Sequence, residues 1–183
     1  MGLDMYLTRR SYVQNWSHTK PEHRHEITVL RGGVLRDDIK PERISYIIEQ
    51  VAYWRKANAI HKWFVDHVQG GKDDCQESYV EPSQLRELVG LCKQVLVTVE
   101  TVEGDIQTGK TYYPDGKVVE NSVTGQVVAQ PGVAEKLLPT QEGFFFGSTE
   151  YSQYYLEDLR RTVEQLEPLL DDTEGEYYYR ASW

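Results

Sequence analysis

The apolar residues that follow Pro82 recur at intervals of three and four positions, the period of an α-helix. Pro82 suits the first turn of such a helix, where its missing N–H has no helical partner to lose. The predicted buried stripe consists of Leu85, Leu88, Val89, Cys92, Val95 and Leu96. A second long helix is predicted from another stripe, formed by Tyr155, Leu156, Leu159, Val163 and Leu166. Pro168 should end or kink this helix at the preceding residue.

Several short segments have strand patterns. Leu3, Met5 and Leu7 alternate with polar or aromatic residues, which predicts a strand that ends at Arg9-Arg10. The polar segment 11–24 reads as a loop, and residues 26–30 are predicted to be a second strand, pairing antiparallel with the first. Residues 176–183 predict a terminal strand, and 144–146 a short buried strand that leads into the second long helix. The chain is therefore predicted to be α+β, with a small, mostly antiparallel sheet packed against three or four helices.

Residues 44–54 fit two structures. Ile44, Ile47, Ile48 and Val51 lie on one helix face, and Pro41 suits a first turn. The β-branched and aromatic content of the segment favours a strand. We favour a helix, a break within 53–58, and a second helix that includes Ile60.

Glycines punctuate short β-like runs between residues 103 and 143. Pro114-Asp115-Gly116 is typical of a turn, with 110–113 and 117–120 as the arms of a hairpin. We interpret 103–143 as a hairpin or flap inserted into a single domain that spans residues 1–183.

Composition excludes some classes of function. The formal net charge of −9 argues against broad, non-specific nucleic-acid binding. Cys75 and Cys92 lack metal-ligand spacing; Cys92 is expected in the core, and Asp73 and Asp74 disfavour a Cys75 thiolate. The sequence shows neither a signal-peptide pattern nor a membrane-length apolar run, so a cytoplasmic protein without a cofactor is expected.

The stretch 52–64 concentrates residue types that bind ligands. Aromatic, cationic and amide side chains that stack on rings, bind phosphate or donate hydrogen bonds stand close together there. The predicted ligand-binding residues of this stretch are Tyr53, Trp54, Arg55, Lys56, Asn58 and His61. In the competing interpretation Trp63 and Phe64 are core residues and the charged side chains are simply solvated. His67 lies on the apolar face and is expected in the core.

The Gly147-Ser148-Thr149 junction is the second candidate site. A helix that begins there would expose unpaired amides and the positive end of its dipole to an anion. Ser148 and Thr149 would assist with their hydroxyls, and Tyr151 could stack on a ring. The alternative is that Ser148 or Thr149 only caps the helix, while Glu150 repels an anion. If both segments form one site, Arg55, His61 and Ser148 should border the same cavity.

The histidines raise a metal hypothesis. His23 and His25, with His18 nearby, have the spacing of neighbours on an extended chain. A zinc site needs three or four ligands, and no HExxH pair occurs, so a polar loop is the favoured interpretation and no metal is expected. The sequence also lacks GxSxG, GxxxxGK and GxGxxG motifs.

Several sequence words occur together: MGLDMYL at the start, 53–64 (YWRKANAIHKWF), 73–75 (DDC), 143–151 (GFFFGSTEY) and the closing ASW. In these words the chain resembles a family of small uncharacterised proteins encoded by bacteriophages and prophages. The resemblance spans most of the chain and implies an accessory role in the cytoplasm of an infected bacterium. It implies no catalytic residues, and relatives would be expected to differ in length within 103–140.

The leading functional prediction is binding, without catalysis, of a small anionic, nucleotide-like molecule, and one version is sequestration of a host nucleotide signal. Arg55, Lys56 and the amides of Ser148 and Thr149 would hold phosphates; Tyr53, Trp54 or Tyr151 would stack on the base. One alternative is a nucleotide or phosphodiester hydrolase with His61 as acid and base, and a metal on His23, His25 and Asp4. Another is an acidic protein that inhibits a basic host factor. A homo-oligomer could use the Tyr-rich segment 177–179 as its interface.

Overall fold

Helices and strands alternate irregularly along the chain. The computed structural model describes residues 2–143 and 146–183, with only the backbone at positions 110 and 112. The elements in chain order are β1 (Asp4–Tyr12), β2 (Leu30–Arg31), β3 (Val34–Leu35), β4 (Tyr46–Arg55), α1 (Asn58–His67), β5 (Ser78–Val80), α2 (Pro82–Thr98), β6 (Thr101–Tyr112), β7 (Val118–Val128), α3 (Gly132–Leu137), α4 (Gln153–Leu166) and β8 (Glu176–Ser182). Short 3₁₀ helices occupy Pro21–His23, Pro41–Arg43 and Glu167–Leu169.

The main sheet is antiparallel and has the strand order β4-β1-β8-β5. Strand β1 lies between β4 and β8, so that Tyr6 is opposite both Tyr53 and Arg180. The structure confirms the predicted α+β class and the places of the N-terminal and C-terminal strands.

One face of this sheet and the facing sides of α1, α2 and α4 form the core. Leu88 on α2 and Leu159 on α4 are fully buried, which confirms both predicted helical stripes. Phe64 on α1 stacks on Tyr179 of β8, with ring centroids 3.9 Å apart. Helix α4 ends at Leu166, two residues before Pro168, as the effect of proline on helices requires.

Residues 46–55 form a strand, so the helix favoured for 44–54 is wrong. Ala52 and Trp54 alternate into the core while β4 hydrogen-bonds to β1, and the β-branched and aromatic composition decided the outcome. The predicted break is confirmed: Lys56 has φ 60°, and the chain turns there into α1.

The prediction of a strand at 26–30 paired with β1 is also wrong. Only Leu30 of that segment is in a strand, and β2 pairs with β3 across Gly32-Gly33. Leu30 and Leu35 are both mostly exposed, so this small hairpin does not pack its apolar side chains on the sheet. Strand β1 instead continues to Tyr12, into the segment predicted as a loop, because β4 pairs with it along its length.

The predicted hairpin is confirmed, with longer arms than expected. Strands β6 and β7 pair from Thr101–Val128 to Tyr112–Val118, around the turn at 113–117. Ile106 is buried near the hairpin base. The rest of the predicted insert is not a flap, because α3 follows the hairpin and Ala134 joins the main core.

Helix α4 begins four residues later than the predicted junction. Gln153 is its first residue and Ser152 its N-cap, whereas Ser148 and Thr149 lie in an irregular segment before it. Of the strand predicted at 144–146, residues 144 and 145 lie outside the described residues, and Phe146 is not in a strand. Ser148 and Thr149 are therefore not at a helix N-terminus.

Candidate functional site

A cavity of about 620 Å³ lies where the starts of α1 and α4 meet the middle of strand β6. Its walls come from residues 55–60, 107–109 and 147–150, and from the first three turns of α4. Cavities of this volume commonly hold a small organic ligand.

Two helix N-termini open onto this cavity, and neither has a side-chain cap. In α1 the first helical hydrogen bond runs from the His61 N–H to the Ala57 carbonyl, so Ala59 and Ile60 have no intrahelical acceptor. In α4 the first helical hydrogen bond runs from the Leu156 N–H to the Ser152 carbonyl, so the amides of residues 153–155 also have no intrahelical acceptor. Neither first turn contains an acidic residue. Both positive dipole ends therefore face the same space.

The Ser152 hydroxyl is the most unusual group in the cavity wall. Ser152 is only 1% exposed, and its Oγ has no hydrogen-bond partner among the described residues. Buried hydroxyls in proteins are nearly always hydrogen-bonded, because an unmade bond costs about 1–3 kcal/mol. An unpartnered hydroxyl beside free amides is the pattern of a site that a ligand completes.

Arg55 and Lys56 supply mobile positive charge at the cavity. The Arg55 side chain is 61% exposed, and its Nε lies 4.0 Å from Asp4 Oδ1, a weak ion pair. Lys56 is exposed and forms no ion pair with the part of the chain that the structure describes. Both side chains can therefore turn toward an anion in the cavity at little cost.

Carboxylates occupy the side of the cavity farther along α4. Glu157 is exposed, whereas Asp158 is half-buried, and both line the wall together with Arg161. Burial raises the pKa of Asp158 to about 7; the charge of Arg161 lowers this pKa and that of Glu157 raises it. Glu150 is engaged elsewhere, since its Oε2 accepts a hydrogen bond from the Gln107 N–H at 2.9 Å. The cavity wall thus carries the carboxylates of Asp158 and Glu157 as well as the cations of Arg55, Lys56 and Arg161.

Asn58 lines the cavity, but its side chain is hydrogen-bonded to the protein backbone and has a structural role. It is 4% exposed, and its Nδ2 donates to the carbonyls of Phe146 and Ser148 at 3.2 and 2.8 Å. Its Oδ1 accepts the Gln141 N–H at 3.1 Å. Asn58 therefore ties the segments around residues 141 and 146–148 to α1, and that side of the cavity depends on it.

Four predicted ligand-binding residues lie outside the cavity. Tyr53 donates its hydroxyl to Asp4, and Trp54 is fully buried with its Nε1 donating to Thr162 Oγ1 at 2.9 Å. Tyr151 packs edge-on against Tyr155, with ring centroids 5.0 Å apart. Tyr154 and Tyr155 do line the cavity, and of these two Tyr154, 47% exposed, offers its ring to a ligand; the sequence did not single it out. The sequence does place Tyr154 four residues before Asp158, and residues at this spacing lie on the same side of a helix.

His61 is the fourth of these residues. It is fully buried; its Nδ1 lies 2.8 Å from the Tyr179 hydroxyl and its Nε2 lies 3.0 Å from Asp73 Oδ2. Arg55 and Ser148 border one cavity as predicted, and His61 does not. The expectation that His67 is a core residue is wrong: it is exposed and stacks on Trp63, its Nδ1 3.0 Å from the Trp63 carbonyl.

The histidines and the cysteine that the sequence singled out lie outside the cavity wall. His18, His23 and His25 are exposed, and no three His, Cys, Asp or Glu side chains among the described residues are placed to hold a metal ion. Burial raises the pKa of the Cys75 thiol, and Asp73 and Asp74 raise it further.

No helix within 2–143 or 146–183 has the length and apolar content to cross a membrane. Tyr177 and Tyr179 are buried, so they cannot form the proposed subunit interface.

Gly147 shapes the cavity edge. Its φ of +96° disfavours a side chain, and a Cβ there would lie 3.0 Å from the Lys56 carbonyl oxygen. We expect Gly147→Ala to lower the free energy of unfolding by about 1–3 kcal/mol. Gly90→Ala is the control, since Gly90 lies in α2 with open space around its Cβ position and should gain up to about 1 kcal/mol. Urea denaturation would measure both; equal stabilities for the two variants would contradict the expectation.

Comparisons with protein-family models, with curated proteins and with solved structures found no match to this chain.

Proposed function

We propose that this protein binds a small phosphate-bearing molecule, nucleotide-like in size, without changing it chemically. The observation that supports the proposal best is the convergence of two uncapped helix N-termini on one cavity with an unpartnered buried hydroxyl. Free amides at helix starts are common sites for phosphate groups. Arg55 and Lys56 add the cations that a phosphate requires.

The structure modifies the roles of the predicted residues in this proposal. The free amides of α4, at residues 153–155, replace those of Ser148 and Thr149, whose segment forms the cavity edge. Tyr154 replaces Tyr53, Trp54 and Tyr151 as the ring that can stack on a base or sugar. His61 has no part in it, and the hydrolase alternative loses its proposed acid and base at this cavity.

The resemblance to phage-encoded proteins gives the proposal its biological setting. In that setting the protein works in the cytoplasm of the infected cell and lowers the free concentration of a host nucleotide signal. Binding without turnover is sufficient for this role, because sequestration requires only affinity and abundance.

The test is calorimetric titration with inorganic pyrophosphate, followed by a thermal-shift panel of linear and cyclic nucleotides. Wild-type protein should bind pyrophosphate, and the double variant Arg55→Ala, Lys56→Ala should bind it at least tenfold more weakly. Lys62→Ala is the matched control, since Lys62 is a lysine of α1 paired with Asp66 at 2.8 Å and lies outside the cavity wall. A nucleotide that binds should raise the melting temperature through mass action.

Ser152→Ala separates a ligand role from a structural one. Removing an unpartnered hydroxyl should leave the free protein equally stable or more stable, because no hydrogen bond is lost. If the hydroxyl contacts the anion, affinity for pyrophosphate should fall about threefold to tenfold. Absence of binding by wild-type protein to pyrophosphate and to every nucleotide at millimolar concentration would refute the proposed function.

A further inference from the structure

The distribution of charge inside the cavity restricts the kind of phosphate compound that fits. The positive groups of its wall are the two helix starts and the side chains of Arg55, Lys56 and Arg161, and the negative groups are Asp158, Glu157 and Glu150. Asp158 and Glu157 would repel a ligand that carried only negative charge. A ligand that fills the whole cavity therefore needs both an anionic group and hydrogen-bond donors.

The Asp158 carboxylate is free to accept such donors. No hydrogen bond to its side chain occurs within the described part of the chain, although the residue is half-buried and lines the cavity wall. Arg161 and Glu157 are the charged groups beside it on α4, and Arg55, Lys56 and Glu150 are those on the other walls. A half-buried carboxylate without protein partners keeps its oxygens open to the hydrogen-bond donors of a ligand.

Helix geometry sets the distance between the free amides of α4 and the Asp158 carboxylate. From Tyr154 to Asp158, both in the cavity wall, the helix rises about 6 Å, at 1.5 Å per residue. A pentose can span this distance, with its phosphate at the free amides and its hydroxyl pair at the carboxylate. Tyr154 lies one helical turn before Asp158 on the same side of α4 and exposes its ring beside the position of the sugar.

We propose that the ligand is a phosphorylated sugar with a free hydroxyl pair, of the ribose type, and that Asp158 accepts hydrogen bonds from those hydroxyls. This inference rests on the proposed function, because it assigns the second half of the same ligand. Asp158 then determines specificity: it selects ribose phosphates over 2-deoxyribose phosphates and over simple anions. Carboxylates recognise ribose hydroxyls in the same way in dinucleotide-binding folds.

The experiment compares three probes by calorimetry at pH 8, where Asp158 is ionised: ribose 5-phosphate, 2-deoxyribose 5-phosphate and inorganic phosphate. The wild-type protein should bind ribose 5-phosphate about tenfold more tightly than the deoxy sugar, the value expected for one hydrogen bond to a charged acceptor. Asp158→Asn should reduce this ratio to about threefold or less and keep its affinity for inorganic phosphate. Glu164→Gln, which changes an exposed carboxylate of α4 outside the cavity wall, should keep the tenfold ratio.

Each other outcome has a separate meaning. Equal affinity of the wild-type protein for the two sugars would overturn this inference and leave phosphate binding intact. A uniform gain in affinity for all three probes in Asp158→Asn would also overturn it, since Asp158 would then only repel anions. If ribose 5-phosphate does not bind although pyrophosphate or a nucleotide does, this inference is overturned and the proposed function stands. If the wild-type protein binds none of these compounds, the proposed function fails and this inference fails with it.

Discussion

Replacing Asp158 by Asn is expected to stabilise the protein by about 2–4 kcal/mol at pH 8 and to change nothing at pH 4. The folded-state pKa of Asp158 is raised to about 7 because burial disfavours the charged carboxylate. An unfolded chain would have the ordinary Asp pKa near 4, and each unit of difference corresponds to about 1.4 kcal/mol. Asn has the size of the protonated acid and carries no charge to desolvate.

The sign of the pH dependence follows from which state binds the proton more tightly. The folded state does, so wild-type stability is fully present below about pH 4 and decreases as the pH rises through about 7. The gain in the variant should therefore grow between pH 4 and pH 8. Urea denaturation across this range measures it, with Glu157→Gln as a control that should stay within about 0.5 kcal/mol of wild type. A pH-independent difference would show that Asp158 does not titrate in this range.

Asn58→Ala is expected to destabilise the fold by about 2–4 kcal/mol. The substitution removes two donors and one acceptor from a residue that is 4% exposed, and leaves the Phe146 and Ser148 carbonyls and the Gln141 amide without those partners. Each unmet buried group costs roughly 1–3 kcal/mol, and water entering the opened site recovers part of this. Denaturant unfolding would measure the loss.

The same substitution should open the cavity. With Asn58 gone, the segment 146–148 is no longer held against α1, so hydrogen exchange at the Gln141 amide should accelerate and pyrophosphate affinity should fall. Asn121→Ala is the control, because Asn121 is exposed on β7 and its Nδ2 donates to Thr111 Oγ1 within the hairpin, outside the cavity wall. A stability within about 0.5 kcal/mol of wild type would mean that Asn58 does not hold this segment.

Local patterns in the sequence predicted the regular elements well. The helical stripes of α2 and α4, the turn at 114–116 and the alternation in β1 depend on neighbours a few residues apart, so the sequence displays them directly. Strand β4 was misassigned because its pairing partner, β1, is some 40 residues away, and pairing decided between two locally acceptable structures. The strand predicted at 26–30 failed for the converse reason: β2 pairs with the adjacent β3 in a separate two-stranded sheet and not with β1.

The candidate site was predicted in part. Arg55, Lys56 and Ser148 do border one cavity, because the Asn58 side chain ties the segment 146–148 to the start of α1. Residue types could not reveal that Trp54 and His61 are inward-facing, since burial depends on strand register and helix rotation. Ser152 and Asp158 were missed because an unpartnered hydroxyl and an unpartnered carboxylate are properties of tertiary packing alone.

The pairing of β1 with β8 also has a kinetic consequence. Asp4 is opposite Ser182, so the central pair of the sheet joins residues nearly 180 positions apart. Contacts of such separation form late, because closing the long intervening loop costs chain entropy before any contact compensates for it. During synthesis, β1 and β4 can associate early, but the inner face of the sheet stays incomplete until the last strand has left the ribosome. A nascent chain stalled before Glu176 should therefore remain sensitive to protease, however long it is given to fold.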